Sequence, residues 1–169
     1  MAVGIGYDVH RLAPGRRLVL GGVEFTSAVG LVGHSDADVA THAIMDALLG
    51  AAALGDIGQH FPPDNPRFAN ANSIELLGEV VGLLAAHGWT VGNLDVTIIA
   101  EHPKILPRAR EMREHLGEAT GIGPGHVSVK ATTNEGLGFI GRGEGIAAFA
   151  VAEILPRSNH PRNGSDVGA

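Results

Sequence analysis

Apolar and small residues alternate over Val3–Val9 (VGIGYDV), which predicts a strand, and a second strand is predicted over Arg17–Phe25. The turn-rich LAPG lies between them. From Asp38 to Ala53 the run DVATHAIMDALLGAAA reads as a helix, with Ser35 or Asp36 available as its cap and Gly55 as its stop. The polar stretch GDIGQHFPPDNPRFANAN is too full of Gly, Pro and Asn to be regular. Ser73–His87 has helical periodicity and ends at Gly88, and Thr90–Ala100 is a strand. Leu106–Thr120 is a third helix, opened by Pro103 and Pro107. Val127–Thr132 and Gly145–Ile154 read as strands, although the alanines of the latter suit a helix as well. The order β-β-α-α-β-α-β-β predicts an α+β fold: a two-layer sandwich, a mainly antiparallel sheet with its helices on one side. Something must then cover the other sheet face, and identical subunits are one solution. No repeat, heptad or linker divides residues 1–157, which read as a single domain. Residues 158–169 lack any apolar pattern and are expected to form a disordered tail.

The bulk numbers narrow the chemistry. A chain of 169 residues with 44% hydrophobic and 18% charged residues is expected to bury an ordinary core. Aromatics are only 4%, so that core must be aliphatic, and 25 glycines, about twice the usual share, imply close backbone approaches. The formal charge of −6 argues against a general nucleic-acid binder. An anionic ligand therefore needs help from metal ions or backbone N–H groups. With no cysteine there is neither a disulfide framework nor a thiolate zinc site. The longest apolar run is broken by Asp46 and is too short to span a bilayer. No basic flank and long apolar run open the chain, so no signal peptide or membrane association is expected and a cytoplasmic location is the default.

Candidate chemistry clusters in a few places. On the first strand, Asp8 and His10 leave the same face, because strand side chains alternate. Metal sites use such a pair, but taken alone it reads first as a surface strand with a salt link. On the first helix Asp38, His42 and Asp46 fall at i, i+4 and i+8, a solvent stripe unless something faces it. Asp8, His10 and His42 together supply three O/N donors and leave a fourth tetrahedral position open, the plan of a catalytic zinc site. The loop KATTNEGLGF (130–139) offers hydroxyls, an acid and backbone N–H groups, a natural cradle for phosphate oxygens. GLGFIG matches a dinucleotide-binding spacing, but no βαβ unit surrounds it. There is no P-loop and no nucleophile elbow.

Four segments together, GYDVHRL, GHSDADVATHAIMDALLGAAALGDIGQHFP, NLDVTIIAEHPKILP and VKATTNEGLGFIGRGEGIA, resemble the 2-C-methyl-D-erythritol 2,4-cyclodiphosphate synthases over residues 1 to 156. The resemblance implies a lyase of the non-mevalonate isoprenoid pathway. It would convert 4-diphosphocytidyl-2-C-methyl-D-erythritol 2-phosphate into the cyclic diphosphate and release CMP. It implies zinc on Asp8, His10 and His42, and a second ion, magnesium or manganese, on Glu135 with the diphosphate. His34 and Thr133 would stabilise the transition state. Ala100, Glu101, His102, Pro103, Lys104, Ile105 and Leu106, with Thr132 and Thr133, would hold the cytidine end, and Asn134 and Glu135 are also implied in substrate binding. Asp56, Ile57, Gly58 and the loop Phe61, Pro62, Pro63, Asp64, Asn65 would hold the methylerythritol, beside His34 and Ser35. The family's assembly is a homotrimer with sites between subunits. Its apolar central channel would lie near Tyr7, Phe139, Arg142 and Glu144, and an isoprenoid diphosphate is its suggested occupant. Phe139 and Arg142 are also implied in substrate binding. One position departs from the pattern: family members carry an aspartate after Phe-Pro, where Pro63 stands here with Asp64 next. Either Asp64 or Asp56 must then hold the hydroxyl. A zinc-dependent phosphoesterase, or a trimeric binder of nucleotide or isoprenoid diphosphate without turnover, remain as alternatives.

Overall fold

The computed structural model describes residues 1–157. Its first strand, β1 (Ala2–Pro14), runs further than the alternation predicts and ends at Gly15, whose φ is 71°. The even positions of β1 face a helix, α1 (Val39–Ala51). A Cβ on Gly4 would stand 2.1 Å from the Ala47 carbonyl oxygen, and one on Gly6 1.9 Å from that of Ala43. The helix answers with Ala40, Ala43 and Ala47, all buried. Strand and helix therefore meet nearly backbone to backbone, which is one physical use of so many small residues.

The predicted strand Arg17–Phe25 is instead a hairpin, β2 (Leu18–Leu20) and β3 (Val23–Phe25). Its turn is Gly21-Gly22, with φ of 56° and 74°, a conformation that favours glycine. The Asp38 carboxylate accepts both turn N–H groups, at 2.8 and 2.7 Å, and also caps α1 through the Thr41 N–H. Asp38, rather than Ser35 or Asp36, is thus the cap. β4 (Val29–Leu31) follows, too short to show a period in the sequence.

The polar stretch after α1 is more regular than expected. It holds α2 (Ile57–His60), capped by Asp56, and a 3-10 turn at Pro66–Phe68, capped by Asn65. α3 (Ser73–Ala86), β5 (Trp89–Ile99), α4 (Ala109–Thr120, preceded by a 3-10 turn at Leu106–Arg108) and β6 (Val127–Thr132) match their predicted places within a few residues. A single-turn α5 (Gly138–Gly141) precedes β7 (Gly145–Pro156). The alanine-rich end is a strand because its burial alternates. Ala148, Ala150 and Ala152 are buried, while Phe149 and Val151 are exposed.

The fold is mixed α+β. Five strands form one sheet in the order β4-β1-β7-β5-β6, and β2-β3 stand apart. The β1–β4, β1–β7 and β5–β7 pairs are antiparallel; β5 and β6 are parallel, joined through α4. α1 packs on β1 and β7, and one aliphatic cluster, including Ile44, Leu48, Leu77, Leu94, Ile98 and Met112, fills the space beneath the helices. On the odd side of β1, Val3, Ile5 and Tyr7 are exposed, as are Phe149 and Val151 of β7. The predicted tail, 158–169, lies outside the described residues. Among the described residues no helix is long and apolar enough to cross a membrane.

Candidate metal centre and active site

Beyond Gly6, the next even positions of β1 are Asp8 and His10, and His42 lies in the first turn of α1. The close strand–helix contact therefore delivers three side chains to one point. Asp8 Oδ2 lies 3.0 Å from His10 Nε2 and 3.0 Å from His42 Nδ1, and the two ring nitrogens are 3.1 Å apart. Donors held tetrahedrally at about 2.0–2.1 Å from zinc stand roughly 3.4 Å from one another, so this triangle needs only a few tenths of an ångström of expansion. The far nitrogen of each ring is also engaged. His10 Nδ1 lies 2.9 Å from the Val32 carbonyl, to which it donates, and His42 Nε2 lies 3.0 Å from Ser73 Oγ and 3.1 Å from Ser35 Oγ. One carboxylate and two oriented imidazoles fit a divalent metal.

The electrostatics agree. Burial pushes the Asp8 carboxyl up, but hydrogen bonds from His10 and His42 and their positive charge outweigh it and hold the group well below the usual carboxylate range. Burial pulls His10 down, yet its contacts with Asp8 leave it raised. An anionic Asp8 draws positive charge to this point, and a metal supplies it without protons.

A cavity of about 230 Å³ opens over the trio, lined also by His34, Ser35, Met45, Ile57, Gly58, Phe61, Pro63, Phe68 and Leu76. His34 is exposed, its Nε2 3.3 Å from the Asn65 carbonyl. Asp56 spends both carboxylate oxygens on Gln59, at 3.1 and 3.0 Å. Pro62 is half-buried, and Asp64 is exposed and not among the lining residues. Of the helix stripe Asp38, His42 and Asp46, only His42 joins the trio. Asp38 holds the glycine turn, and Asp46 accepts the Ile57 N–H at 2.8 Å, fixing the start of α2.

A second cavity, of about 270 Å³, is lined by Ala100, Glu101, Pro103, Lys104, Ile105, Leu106, Pro107, Ala131, Thr132 and Thr133. His102 is the member of the predicted 100–106 run that does not line it. Thr133 Oγ1 donates to Glu135 Oε1 at 3.0 Å, and Glu135 adopts a φ of 50°. The backbone N–H groups expected to cradle phosphate are partly taken, since Glu101 Oε1 accepts from Asn134 N at 2.9 Å and Gly136 N at 3.4 Å. The two cavities share no residue. In the sheet order, β7 and β5 separate β1 from β6, three steps of about 4.8 Å, or roughly 14 Å. Within one chain, Thr133 and Glu135 are not brought to the trio. A third hollow joins Tyr7, Ile99, Asn134, Phe139 and Phe149, while Arg142 pairs with Glu144 at 2.6 Å on the surface.

Sequence reasoning missed Ser73 and Asp36 as supports of His42, and Asp46 as the anchor of α2. Ser73 lies 31 residues from His42 and belongs to another helix, so no spacing links them.

Comparison with known proteins gives a consistent result. The YgbB family model matches residues 1–155. The 2-C-methyl-D-erythritol 2,4-cyclodiphosphate synthase of Symbiobacterium thermophilum is 64% identical over 157 residues, covering 93% of this chain and all of that protein. A bifunctional IspD/IspF enzyme of Anaeromyxobacter sp. is 62% identical over 155 residues, 92% of this chain, which spans only 40% of that relative. Among solved structures, IspF of Plasmodium falciparum in a CDP complex superposes with a TM-score of 0.81 at 32% identity, covering 92% of this chain and 96% of that one. The bifunctional IspDF of Campylobacter jejuni superposes with a TM-score of 0.88 at 39% identity, covering 92% of this chain and 42% of that one.

Proposed function

With the chain belonging to the YgbB family as premise, we propose how its own residues carry out the family's cyclisation. The protein is a 2,4-cyclodiphosphate-forming enzyme of isoprenoid biosynthesis. It converts 4-diphosphocytidyl-2-C-methyl-D-erythritol 2-phosphate to the cyclic diphosphate and CMP. The observation that carries the reading is the convergence of Asp8, His10 and His42 beneath an open cavity.

The chemical obstacle is electrostatic. The 2-phosphate must approach a phosphorus atom ringed by negative oxygens, and two unit charges about 4 Å apart cost about 4 kcal/mol at an effective dielectric of 20. Asp8, His10 and His42 would hold zinc and Glu135 magnesium or manganese, ions that would supply the compensating charge and polarise the phosphoryl group. The rest is positioning. The substrate must fold on itself, so a pocket that grips both ends removes much of the entropic barrier. Ile57, Gly58, Phe61 and Pro63 present a largely apolar wall to the methylerythritol, with Asp56, Pro62, Asp64 and Asn65 at its rim. Ala100, Glu101, Pro103, Lys104, Ile105, Leu106 and Thr132 receive the cytidine diphosphate end, in keeping with the CDP carried by the Plasmodium relative. His34 and the Thr133 hydroxyl donate to phosphoryl oxygens as charge builds. No covalent intermediate on the protein is required.

Grip at both ends needs two chains. The metal half and the nucleotide half lie on strands roughly 14 Å apart, and the exposed apolar face of β1 and β7 needs a cover. A homotrimer closed around a threefold axis, completing the two-layer arrangement, supplies both. The hollow at Tyr7, Phe139 and Phe149 then faces the axis.

Incubation with the cytidylyl substrate, followed by phosphorus NMR, tests the reading. Formation of CMP and the cyclic diphosphate in equal amounts is expected. Inorganic phosphate marks a phosphoesterase instead, and unchanged substrate a binding protein. His42→Ala should lose bound zinc on elemental analysis and at least 10²-fold in kcat while keeping its circular dichroism spectrum. Stoichiometric zinc retained in that variant overturns the ligand assignment.

A further inference from the structure

The metal trio is backed by a chain of hydrogen bonds that reaches a second helix. Ser73 opens α3 and is fully buried. Its Oγ donates to Asp36 Oδ1 and stands 3.0 Å from His42 Nε2. Asp36 is itself fixed, because its carboxylate also accepts the Ser73 N–H at 3.1 Å and the Asp38 N–H at 3.3 Å.

Proton counting gives this arrangement a direction. A carboxylate only accepts, so the single hydroxyl proton of Ser73 is committed to Asp36. Towards His42, Ser73 then presents a lone pair, and Nε2 must carry the proton. The other ring nitrogen, Nδ1, which gives its proton to the Asp8 carboxylate in the metal-free chain, is then the one that would turn a lone pair to a metal beside Asp8 and His10. Ser35 also touches Nε2, at 3.1 Å, but its proton has no such obligation. Its oxygen accepts the Ala37 N–H at 3.2 Å and lies 3.5 Å from Ser73 Oγ, so Ser35 can serve either tautomer.

We propose that Ser73, held by Asp36, is the positioning residue that fixes the Nε2–H tautomer of His42 and so sets the zinc affinity of the site. This rests on the reading that Asp8, His10 and His42 hold the metal. Outer partners of ligating imidazoles typically contribute about 10–100-fold in metal affinity. Here the partner acts from α3, so the start of that helix is tied to the chemistry as well as to the core.

Zinc affinity is read by competition with a chromophoric chelator at pH 7, on wild type, Ser73→Ala and Ser35→Ala. Ser73→Ala should weaken zinc at least tenfold, and more than Ser35→Ala does. In zinc-loaded, ¹⁵N-labelled wild type, the His42 Nε2–H should give a slowly exchanging signal that Ser73→Ala loses. A purely structural role for Ser73 moves the melting temperature of the metal-free protein but leaves that signal in place. Asp36→Asn provides a milder probe if Ser73→Ala folds poorly. It keeps an acceptor without the charge and should weaken zinc at least threefold. Wild type that binds no zinc overturns the metal reading together with this one. Zinc bound by wild type and held as tightly, or lost no more than in Ser35→Ala, overturns the role of Ser73 alone.

Discussion

Asp46 illustrates how one side chain can be costly for the fold and needed by the site. Burial raises its pKa; the Ile57 N–H opposes this, and the nearby carboxylates of Asp56 and Asp8 raise it further. A folded-state pKa above the unfolded value of about 3.9 means that the charged form is disfavoured by folding. Its stabilising contribution is therefore fully present below about pH 4 and is lost as pH rises through the folded pKa. An amide oxygen accepts the Ile57 N–H without the charge. Asp46→Asn should thus raise the melting temperature of the metal-free protein at pH 7, and the gap should close towards pH 3.5. Thermal unfolding at both pH values checks this, and an equal gap at both would show that the charge is not the cause. Asp46→Leu, by contrast, frees the Ile57 N–H and with it the Ile57–Gly58 wall, so KM for the methylerythritol-bearing substrate should rise several-fold. Asp46→Asn should spare KM.

Between elements, the decisive contact is that of β1 with α1. Gly4 and Gly6 let the strand lie against the Ala43 and Ala47 carbonyls, and the same approach brings Asp8 and His10 to His42. Gly6→Ala places a methyl 1.9 Å from a backbone oxygen, where no flexible side chain can yield. It should cost about 3 kcal/mol or more in denaturant unfolding, above the ordinary range for overpacking. A surviving variant should also lose zinc affinity, because the strand must move away from the helix; unaltered affinity would uncouple packing from the site. This contact also explains what was legible in the sequence. Asp8 and His10 could be placed on one face by alternation alone, and His42 could be put on a helix by period. Their meeting point was inferred as chemistry, whereas the glycines that cause it carry no period. Likewise Asp38 and Asp46 share a helical stripe with His42, yet their partners, Gly21-Gly22 and Ile57, come from distant turns that local pattern does not encode. The hairpin inside Arg17–Phe25 was hidden for the same reason, since its glycine turn closes on Asp38.

At the scale of the whole molecule, the roles proposed for Thr133 and Glu135 require them to reach the trio. Three strand-to-strand steps separate them within the sheet, and the apolar odd face of β1 and β7 stays open to solvent in one chain. The proposed cyclic trimer would answer both, because a head-to-tail interface would set the nucleotide half of one subunit beside the metal half of the next. Two consequences can be measured. Ile5→Asp, at a position 71% exposed in the single chain, should cost a monomer little but should shift the sedimentation profile from trimer to monomer and abolish turnover. A trimer that survives this change places the interface elsewhere. The stronger test uses two dead proteins, His42→Ala in the metal half and Thr133→Val with Lys104→Ala in the nucleotide half. They are unfolded and refolded together in equal amounts, so that subunits mix at random. A site then works when its metal half comes from the second protein and its nucleotide half from the first. That has a probability of one half times one half, so activity should return to about a quarter of wild type. If both halves of a site belonged to one chain, every chain would carry a dead half and mixing would restore nothing. Mixed trimers confirmed by native mass spectrometry, but without activity, would therefore return the whole reaction to a single subunit.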